Sequence, residues 1–215
     1  MDWNGFIDGY CERLAPGLLG EPVNAVTNLA FFVAAAYGVR LARRHGDRGV
    51  LVLAGIAAVI GTGSLLFHTA ATRWALLADV IPIAVFIAVA FGLVLRRLLG
   101  FSPLVAAVGA ALFMAASPAV GALVAPLVGS GSGYVAPLLA MAVIGAGLAL
   151  RHRPGGGPLL CAAAVFAVSL TLRTLDEPLC SAFPLGTHGG WHVLNAVVLA
   201  LVMRALGGRG AARGG

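Results

Sequence analysis

The chain has 215 residues, of which 60% are hydrophobic and only 10% are charged, and its mean hydropathy is +0.98. So apolar a composition excludes an ordinary soluble domain and predicts an integral membrane protein with several spans. The net charge of +6 comes with fourteen arginines and no lysine, and the positions of the arginines explain this charge without nucleic-acid binding.

Residues 1–22 are mixed in character and partly acidic, and they precede the first apolar run. They lack the apolar core that a cleavable signal peptide needs, so we expect the first helix to serve as its own insertion signal. Composition alone predicts a solvated segment at the membrane interface, outside the cytoplasm.

Seven apolar runs follow, each near the roughly 20 residues that a helix needs to cross a bilayer. The runs lie at 24–42, 50–70, 76–97, 103–126, 133–150, 158–176 and 188–206. Prolines at 118, 126 and 137 interrupt the fourth and fifth runs. We therefore predict an all-α integral membrane fold: a bundle of seven transmembrane helices in a single domain over residues 1–207, with a flexible cytoplasmic tail at 208–215.

The arginines predict the orientation of this bundle. With seven spans, eleven of them fall on one side: Arg40, Arg43, Arg44, Arg48, Arg96, Arg97, Arg151, Arg153, Arg204, Arg209 and Arg213. The other side receives Arg13, Arg73 and Arg173. Because cytoplasmic loops are enriched in positive charge, the N-terminus is predicted outside and the C-terminus in the cytoplasm. Abundant Ala, Gly and Arg also suggest a bacterial source, hence the bacterial inner membrane.

This orientation places the polar residues of three spans at one depth. Ser64 and His68 lie near the end of the outward-running second helix, and Asp79 lies near the start of the third. His188 and His192 lie near the start of the seventh. None of these residues was used to assign the orientation, so their convergence predicts one site facing the extracytoplasmic side.

The histidines in the spans favour a metal site. His188 and His192 are four residues apart, which places both on one face of a helix. Alone, this pair suits interfacial hydrogen bonding as well as metal binding. His68 at the same depth favours the metal, because three imidazoles and one water form a common catalytic zinc arrangement. The remaining two, His45 and His152, fall in predicted cytoplasmic loops.

Two further polar residues lie beside this triad. Ser64 precedes His68 by four residues, and its hydroxyl either bonds to its own helix or stabilises an oxyanion beside the metal. Asp79 lies inside an apolar run, where a charge costs roughly 2.5–3.5 kcal/mol even on lenient insertion scales. It either pairs with an arginine such as Arg73 or Arg173, or it orients a histidine or accepts a proton from water.

The cysteines divide between the outside and the bundle. Cys11 and Cys180 are both predicted outside, in an oxidising compartment, where a disulfide would tie the N-terminal segment to the site. Spacing alone leaves this bond open. Cys161 lies in the sixth span and suits a small core residue.

Taken together, five motifs resemble the alkaline ceramidase family, part of a wider group of seven-helix membrane hydrolases that includes the adiponectin-receptor-like proteins. The motifs, in chain order, are Tyr10-Cys11-Glu12, Glu21 to Asn28, Gly61 to His68, Ala78 to Pro82, and His188 to His192. They extend over nearly the full length of the chain.

The resemblance implies a zinc ion held by His68, His188 and His192. It also implies that Ser64 and Asp79 are the flanking catalytic groups. Cleavage of an N-acyl amide, as in ceramide, to a fatty acid and an amine follows from the same resemblance.

The resemblance also implies a disulfide between Cys11 and Cys180 and a calcium site in the N-terminal acidic segment. The calcium ligands would be Asp8, Glu12 and Glu21, with Glu12 and Glu21 at matching positions. The sequence departs from the family where Gly9 replaces an aspartate and Leu14 replaces an asparagine, and Asp8 lies one residue out of register.

The sequence therefore predicts a zinc-dependent intramembrane amidohydrolase that acts on ceramide or another N-acyl lipid. The competing class is a non-enzymatic seven-helix receptor or an ion-coupled transporter that uses the same polar cluster to bind a ligand. A transporter needs charges along a path or broken helices near mid-depth. Here the polar groups stop at one end, although the three prolines leave room for broken helices. A structural zinc site is disfavoured, because three histidines without a nearby cysteine leave a coordination position open. The oligomeric state is not indicated.

Overall fold

The computed structural model of the protein describes residues 2–207, and the predicted tail at 208–215 lies outside the described residues. The described part contains eight α-helices: α1 (Pro22–Thr27), α2 (Leu29–His45), α3 (Arg48–Ala70), α4 (Arg73–Arg97), α5 (Pro103–Val128), α6 (Val135–Leu150), α7 (Gly156–Leu175) and α8 (His188–Leu206). Two short 3-10 helices, Gly129–Tyr134 and Glu177–Leu179, connect α5 to α6 and follow α7. The all-α prediction is confirmed.

Six helical stretches in the described part are long and apolar enough to cross a membrane, as in a multi-pass membrane protein. The first combines α1 and α2, which meet at Asn28, a residue with helical backbone angles. The fourth is a 48-residue stretch, Pro103–Leu150, that contains both α5 and α6. Because α6 alone has 16 residues, the count of seven spans and the orientation of the termini stay predictions.

The chain reverses direction between α5 and α6. A Cβ atom on Gly121 would lie 3.4 Å from the backbone of Ser132 and Gly133, so the 3-10 segment folds back onto α5. The helix itself continues through Pro118 and Pro126, which we expected to interrupt it. Each proline removes only one backbone donor, and the remaining hydrogen bonds of a long apolar helix hold it together in lipid.

The helices pack around a core to which most of them contribute. α3 packs between α2 and α4, and α8 packs against α7 and α2. Their buried faces meet in one apolar cluster that includes Leu53, Phe86, Phe166 and Met203. The outer faces expose large apolar side chains, which suits contact with lipid tails.

An ion pair ties the start of α3 to the end of α4. Both nitrogens of the Arg97 fork donate to the Asp47 carboxylate, at 2.7 and 3.0 Å, and the backbone N–H of Val50 donates to it at 3.0 Å. Burial raises the pKa of Asp47, but the hydrogen bonds from Arg97 and Val50 outweigh it and hold the pKa below its usual value. The bond from the Val50 N–H to Asp47 also caps the N-terminus of α3.

Candidate metal centre

Three histidines from two helices meet at one end of the bundle. His68 lies in the last turn of α3, and His188 and His192 lie in the first two turns of α8. All three are buried, with 1–2% of their surface exposed. Each offers a ring nitrogen, and these nitrogens lie within 4.8 Å of one another. Within residues 2–207, no other group of three or more His, Cys, Asp or Glu is close enough to hold a metal ion.

The start of α8 is held by a carboxylate from the segment after α7. Asp176 Oδ1 accepts the backbone N–H of Thr187 at 2.6 Å and that of His188 at 2.9 Å, which satisfies donors that the first turn of a helix leaves free. Its Oδ2 accepts the backbone N–H of Cys11 at 3.2 Å. Asp176 therefore positions His188 and joins α8 to the N-terminal segment.

Two side chains outside the triad fix the orientation of its rings. Glu21 Oε2 accepts from His68 Nδ1 at 2.7 Å. Thr27 Oγ1 donates to the backbone carbonyl of Val23 at 2.8 Å, so its lone pair accepts from His192 Nδ1 at 2.9 Å. Each bond places the ring proton on Nδ1 and leaves Nε2 free for a metal, as outer partners of metal-binding histidines do.

Buried ring nitrogens without partners indicate that the triad fits a metal. Among the described residues, His68 Nε2 and His188 Nδ1 are buried and have no hydrogen-bond partner. Buried polar atoms are rarely left unpaired, because the loss of water is then uncompensated. A metal ion among the three rings would give unpaired ring nitrogens a partner, and neutral imidazole nitrogens suit several transition metals.

The partners of Glu21 favour the charged form of its carboxylate. Burial raises its pKa, but hydrogen bonds from His68 and Asn24 and the charge of Arg13 outweigh burial, so the pKa of Glu21 lies below its usual value. Hydrogen bonds to a charged carboxylate are stronger than those between neutral groups.

Ser64 and Asp79 lie together beside the triad. Both are buried, and the Ser64 side chain lies near enough to interact with the Asp79 carboxylate. Asp79 forms no ion pair within 4.0 Å in the described part of the chain. Arg173 acts on it only at longer range. The pairing with Arg73 or Arg173 that the sequence left open is therefore not formed.

A glycine allows this approach of α3 to α4. A Cβ atom on Gly63 would collide with the backbone carbonyl of Ala78 and lie 3.2 Å from the backbone nitrogen of Asp79. Small residues let membrane helices pack this closely. Gly63 therefore brings its neighbour Ser64 against Asp79.

We expect Gly63→Ala to lower both the melting temperature and the catalytic activity, because the added methyl group must push α4 and Asp79 away from Ser64. Such overpacking typically costs about 1–3 kcal/mol. Gly55→Ala is the matched control, since Gly55 lies in the same helix and has open space at its Cβ position. Equal stability and activity of the two variants, measured by thermal unfolding and turnover, would show that the close contact is unimportant.

Part of the N-terminal segment packs over the triad. The Tyr10 ring lies 4.0 Å from the His188 ring and 5.2 Å from the His68 ring, between centroids. A disulfide joins Cys11 to Cys180. Glu12 and Arg13 are buried, with partners on α1 and α3 respectively, whereas residues 14–19 are exposed.

A family model for ceramidases matches residues 10–207, which is most of the chain. The chain belongs to the ceramidase family. Membership implies a hydrolase that acts on an amide bond, with the lipid ceramide as the substrate type. No curated protein sequence matches the chain.

Two of the three residues predicted to bind calcium have other partners in the structure. Asp8 is exposed. Both oxygens of Glu12 accept backbone N–H groups of α1, from Val23 at 2.7 Å and Asn24 at 2.8 Å. The oxygens of Glu21 accept from Arg13, His68 and Asn24. Calcium at this position stays a prediction, and these occupied carboxylates weigh against it.

Sequence reasoning missed several residues that support the site of this ceramidase-family protein. Thr27 lies within the motif Glu21 to Asn28, and its position on the first helix was the signal that could have identified it. Asp176 and Thr187 are eleven residues apart, too far for a local capping pattern to reveal their bond. Arg13 was counted only as a charge outside the membrane, yet it is buried.

Proposed function

We propose that this ceramidase-family protein is a zinc-dependent intramembrane amidohydrolase that splits an N-acyl lipid amide into a fatty acid and an amine. His68, His188 and His192 would hold the zinc, with Ser64 and Asp79 as the flanking catalytic groups. The observation that carries the proposal is the convergence of three buried histidine nitrogens within 4.8 Å, beside that serine and carboxylate.

The donor set favours zinc in a catalytic role. Catalytic zinc sites commonly have three protein ligands and one open position, whereas structural sites have four. When bound, zinc supplies Lewis-acid chemistry that activates water near neutral pH and polarises a carbonyl group. The described residues offer three histidines and no cysteine in this group, which supports an open position.

Asp79 is the proton carrier in this proposal. Its carboxylate accepts a proton from the water whose oxygen bonds to the amide carbon, and it then gives that proton to the leaving nitrogen as the C–N bond breaks. The products are a fatty acid and an amine, so one water is consumed for each amide bond. The buried position of Asp79 excludes bulk water from this transfer.

Ser64 would stabilise the negative charge that develops on the carbonyl oxygen. Its side chain lies beside the Asp79 carboxylate. Rotation of the Ser64 hydroxyl toward the substrate would provide a donor for the oxyanion, which is the role of preorganised donors in acyl transfer. Because α3 and α4 pack closely here, Ser64 and Asp79 would both act on the same amide group of the substrate.

An apolar cavity adjoins the triad and suits the acyl chain. Phe31, whose ring lies 6.0 Å from that of His192, and Trp191 line the end of the cavity near the histidines. Ile83, Phe86 and Met141 are among the residues that line the rest. Because this lining is as apolar as lipid tails, an acyl chain can enter it from the bilayer without meeting polar groups. An acyl chain is therefore the substrate part that this cavity suits.

The proposal is tested by fatty-acid release from a panel of N-acyl lipids that includes ceramide. We expect the purified protein to release fatty acid from at least one panel member, to lose this activity when a chelator removes zinc, and to regain it when zinc is returned. Release that continues at full rate in metal-free protein would refute the zinc-dependent mechanism. Absence of release from the whole panel would refute the substrate class.

A further inference from the structure

The N-terminal segment contains a buried arginine beside the metal centre. Arg13 is 5% exposed and forms an ion pair with Glu21. Its other nitrogens donate to backbone carbonyls, Nη1 to Ile7 at 2.7 Å and Nη2 to Phe67 at 3.3 Å. The guanidinium also lies over the rings of Phe67 and Tyr10, at 4.6 and 5.1 Å from their centroids. These contacts hold the cation in one place.

Glu21 connects Arg13 to the metal centre. One carboxylate oxygen accepts from Arg13, and the other accepts from His68 Nδ1 at 2.7 Å and from the Asn24 amide at 2.8 Å. The Glu21 carboxylate is only 1% exposed, so these partners take the place of water as its hydrogen-bond donors. A buried carboxylate without a cation is strongly destabilised, so Arg13 is the group that keeps Glu21 in place.

The cation beside Glu21 is the guanidinium of Arg13, a residue of the chain itself. The implied calcium ion would need the carboxylates of Glu12 and Glu21, and both are occupied as described above. A calcium ion at Glu21 would also lie beside the Arg13 guanidinium, and like charges at short range repel strongly in a buried site. The arginine and a calcium ion therefore exclude each other.

We propose that Arg13 is a built-in cation that replaces calcium in this ceramidase and, through Glu21, orients His68 for the metal. Arg13 is a positioning residue, because it touches neither the metal position nor the substrate cavity. The positioning role rests on the proposed metal binding by His68, whereas the replacement of calcium does not.

The calcium part is tested on the unaltered protein by thermal unfolding in calcium-free buffer, with and without added CaCl2, at constant zinc. A ligand raises the melting temperature when it binds the folded state and not the unfolded one. If Arg13 replaces calcium, we expect the same melting temperature in both conditions. A calcium-dependent rise in melting temperature would overturn the proposal. This measurement needs no variant and so decides the matter even where a variant fails to fold.

The positioning part is tested with Arg13→Gln, which removes the charge, and Arg13→Lys, which keeps it. Loss of an outer-shell partner typically weakens metal binding about 10–100-fold. We expect that loss of zinc affinity in Arg13→Gln, measured by competition with a chromophoric chelator, together with a changed visible spectrum of the cobalt-loaded protein. Arg13→Lys should recover most of the affinity and the spectrum.

Arg73→Gln is the control, because Arg73 is an exposed arginine and the first residue of α4. It should bind zinc as the unaltered protein does. Wild-type zinc affinity and spectrum in Arg13→Gln would refute the positioning role and leave the proposed function intact. A failure of the unaltered protein to bind zinc would instead refute the proposed function.

Discussion

Replacement of His192 by alanine is expected to abolish both zinc binding and lipid-amide hydrolysis. The change removes one of three nitrogens that lie within 4.8 Å of one another, and two histidines on separate helices hold zinc poorly. It also leaves the Thr27 hydroxyl without its ring partner. Zinc content by atomic emission and fatty-acid release should both fall to the background of a protein-free sample.

The control for this variant is His45→Ala, because His45 is an exposed histidine at the opposite end of the bundle. It should keep the zinc content and the activity of the unaltered protein. Circular dichroism should show the same helix content in both variants. A His192→Ala protein that is folded and retains zinc and turnover would remove His192 from the metal centre.

Asp79→Asn is expected to keep zinc and lose turnover. The amide has the size of the carboxylate and fits the same position beside Ser64, but it cannot take a proton from water. Loss of a general base typically costs about 10²–10⁴-fold in rate. We expect kcat to fall within this range while KM changes little, as measured with the best substrate of the lipid panel.

Glu177→Gln tests whether loss of any carboxylate near this end of the bundle has the same effect. Glu177 is exposed and lies in the short 3-10 helix after α7. This variant should turn over at the rate of the unaltered protein. Unchanged kcat in Asp79→Asn would show that another group accepts the proton.

The helices were predictable because the membrane imposes a simple pattern. Long apolar runs with polar breaks placed α3, α4, α7 and α8 within a few residues of their observed bounds. The division of the stretch Pro103–Leu150 was harder, because α5 continues through its prolines and a 3-10 segment joins it to α6. Hydropathy reports burial in lipid and says little about such a connection.

The triad was also predictable, since polar residues are rare in these spans. His68, His188 and His192 stood out by depth alone, and the structure brings them together. The same rarity singled out Asp79. Its closeness to Ser64 also depends on Gly63, whose role is visible only when the backbone of α4 is in place.

The support around the triad was not predictable, because it joins residues far apart in the chain. Glu21 and His68 are separated by 47 residues, and Thr27 and His192 by 165. No local pattern encodes such pairs. The resemblance implied that the carboxylates of the N-terminal segment bind calcium. In the structure, Arg13 pairs with Glu21, and backbone N–H groups of α1 donate to Glu12.

The most direct test of the account is the metal content of the unaltered protein, purified without chelators. Three converging buried histidines, two of which have an unpaired ring nitrogen, predict close to one zinc per chain. A folded protein that carries no metal, and that takes up none when zinc is added, would contradict the central claim.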